Sequence, residues 1–513
     1  MSVSQPDKHR RLLPRWQPSA ATVANGELRP PGTPAARELK DPHFEARLAE
    51  WEGTRSLEVA AELVASAIVL GRTDEVESAA RLLAEDSSEV SATLREMARA
   101  ALEARAPDAE RTHRPGRLVR PQIYTQISQI RHYLNSNPRD AYAWVDIARL
   151  YTILGQLDKA QKAMETAHAA APEDRFVLRA GARFFVHIDK AEIAQRILNR
   201  ARATKSDPWL MAAEIAVSQV IERPSRTAAL ASRALEEDTW TPHSSSELAG
   251  AFATLLMGDG AAHKSRSFFR QSLRDPTENA VAQAQWAVGN TTGLVIPAQL
   301  FRDPNGHEAR ALRDTLAGDW ENAIERCWDW AEYEPTSSRP TIMGSYIAAV
   351  AREDSQTILE FTERGLAAEP HNATLLNNKA VGLAYADRIS EAVDVMRDVV
   401  IEKAQEFTQP ALYATSGLLF FRSGHLARGR DFYEKAIAHV YSRKDRRCQA
   451  LALWHLAREE VRAQTPDIDA VIARAEKASR NLELAELDAV RERVLRAAKK
   501  PVTNNRPKRI FPT

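Results

Sequence analysis

Arg149, Arg179, Arg183 and His187 fall on two successive helical patterns of this chain. Three guanidinium groups and an imidazole on neighbouring helices would make a basic strip. A guanidinium grips a carboxylate or phosphate through two parallel hydrogen bonds, so the ligand such a strip selects is an acidic or C-terminal peptide. The competing reading is a solvated face partly neutralised by Asp146 and Glu173. Other chemistry is scarce. The sequence has no glycine-rich phosphate loop, and Gly258-Asp259-Gly260 fits an inter-helix turn. There is no His-Glu-x-x-His, no Gly-x-Ser-x-Gly and no Cys/His cluster, so neither a metal nor another cofactor is expected. Cys327 and Cys448 suit small core residues. Trp320, Ile324 and Trp328, with Trp330 nearby, could form an aromatic platform, but their helical spacing favours core packing.

The elements that must position these residues are helices. Of 513 residues, 44% are hydrophobic and only 20 are glycine, a mix that supports a long helical core. The net charge of +1 excludes a uniformly basic nucleic-acid sheath. No apolar run approaches the roughly 18 residues of a membrane span, and prolines and charges near the start replace a signal peptide. A cytoplasmic location is the expectation. Arginine exceeds lysine 55 to 15, which suggests a GC-rich, bacterial genome.

Along the chain, residues 1–40 carry seven Lys/Arg against three acids and six prolines, and read as a disordered segment. Helical patterns at 43–52, 55–70, 73–85 and 88–105 make an N-terminal helical region over 41–105. Residues 106–121 read as a proline- and arginine-rich linker, 122–499 as a continuous helical array, and 500–513 as a basic disordered tail. Between 141 and 174, Trp144, Ile147, Ala148, Tyr151, Gly155, Ala160, Met164, Ala167 and Pro172 stand at the spacing of a two-helix unit. Small residues at one place (Ala148, Ala182, Ala253, Ala380, Gly417) let paired helices approach. Bulky ones three positions on (Tyr151, Phe185, Leu256, Leu383, Phe420) fill the gap to the next pair. Pro224, Pro242, Pro297 and Pro304 intrude at 209–245 and 277–303, where the array is expected to break or widen.

These positions resemble the tetratricopeptide repeat (TPR) family, strongly at 141–174 and more weakly at 175–206, 246–276, 304–335, 373–402 and 410–438. The resemblance implies an all-α fold, a TPR-like helix-turn-helix superhelical solenoid with degenerate repeats at its N-terminal end. It also implies a concave groove lined by the first helix of each pair. Tyr142, Arg149, Thr152, Arg179, Arg183 and His187 would then face a bound partner. Asn377, with Asn378, resembles the asparagines that grip peptide backbone in some family members. The lysine and asparagine positions of carboxylate-clamp members are not reproduced. The resulting expectation is a non-enzymatic adaptor for a protein partner, encoded nearby, within a bacterial multi-protein system; oligomeric state is open.

Two other readings stand beside it. The basic ends, Lys8–Arg15 and Arg496–Arg509, could attach to nucleic acid with a steep salt dependence. Arg302-Asp303-Pro304-Asn305-Gly306-His307 resembles the catalytic motif of HEPN-type ribonucleases, which would imply attack on a ribose hydroxyl and phosphate. Pro304 and Gly306 make the stretch a turn instead of the helix that motif requires.

Overall fold

A computed structural model describes residues 10–19, 42–70, most of 72–102, and 120–499 apart from short stretches at 238–239, 289–292, 304, 398, 402–403 and 405–407. The expected linker at 106–121 falls outside these residues up to 119, as does the tail at 500–513. The described residues form an all-α fold with no strand. They divide into two compact units, one built on Arg11–Ala309 with Glu332–Thr336, the other on Arg310–Ala331 with the chain from Ser337 onward.

The first unit opens with α1 (Pro42–Thr54), α2 (Leu57–Leu70) and α3 (Glu77–Ala84). They enclose a small core of Phe44, Trp51, Leu63, Val64 and Leu83. Ten further helices follow: α4 (Arg120–Ser136), α5 (Ala141–Ile153), α6 (Leu157–Ala170), α7 (Arg175–His187), α8 (Ala191–Arg200), α9 (Pro208–Val220), α10 (Ala228–Glu236), α11 (Pro242–Gly258), α12 (Ala262–Ser272) and α13 (Glu278–Val288). Pairs α5/α6, α7/α8 and α11/α12 pack as hairpins, and α5, α7, α9, α11 and α13 follow one another along a single face.

Helix starts set the repeat. Asp140 accepts from the amides of Tyr142 and Ala143, Asp174 from Val177, and Asp207 from Trp209 and Leu210; Thr241 does the same for Ser244. These caps recur at steps of 34, 33 and 34 residues, and each satisfies amides that the first helical turn leaves open. The cap aspartates also tie successive repeats together. Tyr133 donates to Asp140 and Tyr142 to Asp174, both at 2.9 Å, and Arg175 pairs with Asp207. Pro208 and Pro242 occupy the first helical turns, where a missing amide costs nothing. The proline at 242 therefore starts α11; it does not break the array as its position suggested.

Packing follows the small-and-large logic of the repeat. Ala148, Ala160, Ala182 and Met164 are fully buried, with Phe185 beside them. Trp144 and Tyr151 are partly buried against the same core, and Trp144 donates its indole N–H to Pro138 O at 2.9 Å. Gly155 holds the turn between α5 and α6 at φ 70°, a left-handed conformation that favours glycine. Pro172 lies in the α6–α7 turn.

The second unit carries most of α14 (His307–Ala317) and α15 (Trp320–Tyr333), then α16 (Arg339–Ile347), α17 (Ser355–Ala368), α18 (Ala373–Tyr385), α19 (Ile389–Arg397), α20 (Gln409–Arg422), α21 (Leu426–Ser442), α22 (Arg446–Ala463), α23 (Ile468–Ser479) and α24 (Ala485–Ala498). One hydrophobic cluster runs from Ala311 to Val494. Gly417 lets α20 and α21 touch: a Cβ there would lie 2.7 Å from the Tyr433 ring. Ala380 is fully buried and Phe420 stacks on Phe432 at 5.2 Å.

Candidate ligand-binding face

The largest departure from expectation is the stretch Arg11–Ser19. Its arginines and prolines predicted disorder, yet Leu12, Pro14, Arg15, Trp16, Gln17 and Ser19 are buried. The segment has almost no helix and lies across the first helices of the repeats. At one end, the Ser19 amide and hydroxyl both donate to Asp146 on α5, at 3.0 and 2.7 Å. Trp16 meets Phe184 on α7 edge-on at 5.7 Å. Leu13 O accepts from Asn279 on α13 at 3.0 Å. Leu12 enters a cluster with Met211, Ile215, Leu248 and Phe252 from α9 and α11.

Glycine makes the last contact possible. A Cβ on Gly250 of α11 would stand 2.8 Å from Leu12 Cδ1. An alanine in mid-helix would ordinarily be favoured by about 0.5–1 kcal/mol, so the glycine at this place trades helix stability for the approach of the segment.

Arg15 is the electrostatic centre. Its Nη2 lies 2.6 Å from Glu308 Oε2, its Nη1 2.5 Å from Glu334 Oε2, and its Nε 3.8 Å from Glu278 Oε1. The guanidinium is buried, which alone would lower its pKa; the three carboxylates reverse this and hold it well above its usual value. Burial likewise pushes the Glu334 carboxyl up, but Arg15 overrides that and Arg183 adds to it, so Glu334 sits below the usual carboxylate range. A carboxylate depressed in the folded state stabilises above its unfolded pKa of about 4.3. That contribution disappears as pH falls through the lower folded value. Segment docking is therefore expected to hold at neutral pH and to weaken below about pH 4. A fluorotryptophan resonance at Trp16 checks this: it should move to its solvent-exposed position in acid, and an unmoved resonance would contradict the assignment.

The face expected to be basic is thus occupied by paired charges. Arg179 is buried, its Nη1 3.1 Å from Glu247 Oε2 and its guanidinium 4.9 Å above the Trp209 ring. Thr277 and Asn279 also donate to Glu247, each at 3.3 Å. The acid on Arg179 comes from a helix 68 residues further along the chain. Arg149 is buried as well. Thr152 is fully buried and donates to Ala148 O at 2.9 Å. The Tyr142 hydroxyl is committed to Asp174, and its ring packs edge-on against Phe176. Asn377 is buried on α18 and donates to Asn378, which in turn donates to Ser345 at 2.9 Å. Thr152 and Asn377 therefore offer no side chain to a partner, because both are closed inside their units. Arg183 and His187 remain half-buried on α7.

The other sequence candidates resolve as structure. Arg302 is exposed at the end of a short 3-10 turn (Ala298–Arg302), while His307 begins α14 beside the Tyr333 ring at 5.5 Å. Trp320, Ile324 and Trp328 pack on the core; Trp328 stacks on Phe361 at 3.7 Å and Trp330 is buried. Gly260 has φ 78° in the α11–α12 turn. Cys327 and Cys448 are buried free thiols, and burial pushes the Cys327 thiol up. In the second unit, Arg422 and Arg458 both bind Glu459 at 2.7 Å and Arg430 binds Glu460 at 2.5 Å. No cluster of metal-binding side chains occurs among the described residues, and no described helix is long and apolar enough to cross a membrane.

Fold and face together define an all-α helical-repeat protein that holds an extended basic-apolar segment around three carboxylates. No family model and no curated protein matches the sequence. Solved structures similar to it include yeast Tom70, at 13% identity and TM-score 0.31, covering 74% of this chain and 92% of that one. The APC/C hetero-tetramer Cut9-Hcn1 is similar at 13% identity and TM-score 0.39, covering 88% and 92%. The human IFIT1 dimer with PPP-AAAA is similar at 13% identity and TM-score 0.33, covering 93% and 100%.

Proposed function

We propose that this chain is a non-enzymatic scaffold that holds an extended stretch of a protein partner along the first helices of its N-terminal unit. The observation that carries this reading is Arg11–Ser19 itself: an irregular segment bound through alternating apolar and charged anchors. Helical repeats suit that task because adjacent first helices present a continuous surface longer than any single site. A cytoplasmic adaptor in a bacterial multi-protein system, with its partner encoded nearby, is the setting that fits. The ribonuclease reading loses support because Arg302 and His307 are separated by a turn and His307 lies against Tyr333. The nucleic-acid reading loses support from the N-terminal basic cluster, since Arg15 is buried among carboxylates.

A photo-crosslinking residue tests the scaffold reading in cells. Placed at Arg183 on the face, it should give one discrete adduct, and at exposed Lys162 on α6 it should give none. Equal labelling from both positions, or none from either, would contradict it.

A further inference from the structure

We propose that Glu278, Glu308 and Glu334, with the Phe184 and Gly250 contacts beside them, form an arginine–tryptophan receptor. In this proposal Arg11–Ser19 occupies the receptor in cis as a detachable plug, and a partner segment of the same basic-apolar chemistry replaces it in trans. The inference rests on the scaffold reading and names its ligand.

Charge complementarity argues for the ligand class. Three carboxylates from separate helices or helix ends converge on one guanidinium, and none of them is an i, i+4 neighbour of Arg15 that would hold it locally. Two of them are buried. Buried carboxylates without a cation are strongly disfavoured, so the receptor demands a cation whenever it is closed to water. Arginine suits it better than lysine because its planar fork can reach several acceptors at once. The apolar sites on either side set a spacing: Leu12 in the α9/α11 cluster, Arg15 in the acidic centre, Trp16 against Phe184. A matching ligand carries Leu-x-x-Arg-Trp.

The manner of attachment argues for exchange. The segment adds no strand or helix to a neighbour; its backbone is held by the Asn279 and Asp146 side chains, so a second peptide can repeat every contact. The fit is also incomplete. Trp16 Nε1 and Arg15 Nε are buried without a hydrogen-bond acceptor among the described residues. Each such group is a cost of the docked state that release into water relieves. In cis, covalent attachment makes docking of the plug an intramolecular event. A free peptide of equal intrinsic affinity therefore binds weakly until the plug is loosened.

The test uses the full-length chain and a fluorescent peptide of sequence Arg-Arg-Leu-Leu-Pro-Arg-Trp-Gln-Pro-Ser, read by anisotropy. The Arg15→Ala/Trp16→Ala variant should bind it at least tenfold more tightly than the wild type. Adding Glu308→Gln and Glu334→Gln to that variant should remove at least tenfold of the affinity. Circular dichroism and a cooperative melt establish that each variant is folded. A folded plug variant that binds no more tightly than wild type would overturn the proposal, making Arg11–Ser19 a permanent structural strand. So would a wild-type dimer dissociated by Arg15→Ala, which would assign the segment to a second copy. Partner crosslinking at position 183 without peptide binding would sink this inference alone; peptide binding without crosslinking would sink only the scaffold reading.

Discussion

Arg15→Ala is expected to release Arg11–Ser19 from the face and to lower the unfolding free energy by about 3 kcal/mol, with amide protection lost at Ser19. Two limits bracket that figure. Were the segment to stay docked, Glu308 and Glu334 would lie buried with no guanidinium beside them, at a cost of about 3–5 kcal/mol. Release lets water reach the carboxylates, so the cost cannot exceed the free energy that held the segment. Arg15→Lys keeps the charge but loses the fork, and should fall between wild type and alanine. Denaturant titration with amide exchange on the same samples checks both. An alanine variant with undiminished protection at Ser19 would contradict the role given to Arg15.

Trp209→Ala should cost more, about 3–5 kcal/mol, because this residue supports both the core and the face. Eleven of the thirteen residues of α9 are buried, with α7 on one side and α11 on the other. The Trp209 ring lies edge-on to His243 at 5.8 Å and beneath the Arg179 guanidinium. Truncation leaves a cavity and removes the support that keeps Arg179 on Glu247. The denaturation midpoint should fall further than that of Arg15→Ala. A smaller shift would mean that α9 is not the keystone of its unit.

Much of the fold was legible because its determinants are local. Trp144, Ala148, Tyr151 and Gly155 lie within one helix pair, and the caps Asp140, Asp174 and Asp207 act on amides two or three residues away. The face was far less legible, because its charges are paired across the chain. Arg179 meets an acid 68 residues on, and Arg15 meets one 293 residues on. Sequence spacing reveals which arginines share a helix face but not which glutamates the superposed repeats bring to them. Pro242 misled for a related reason, since a proline breaks a helix interior and starts a first turn equally well. A signal for the docked segment was present: Leu12, Leu13 and Trp16 are three large apolar residues within a basic, proline-containing stretch. Composition averaged over 40 residues hid them.

Amide exchange across Arg11–Ser19 in the isotopically labelled full-length chain, with and without an excess of the unlabelled Arg10–Ser19 peptide, tests the central claim most directly. Protection at Ser19 in the chain alone, lost as the peptide saturates, is the predicted result. Protection that persists at saturating peptide, or that is absent from the start, would contradict a face filled in cis and exchangeable in trans.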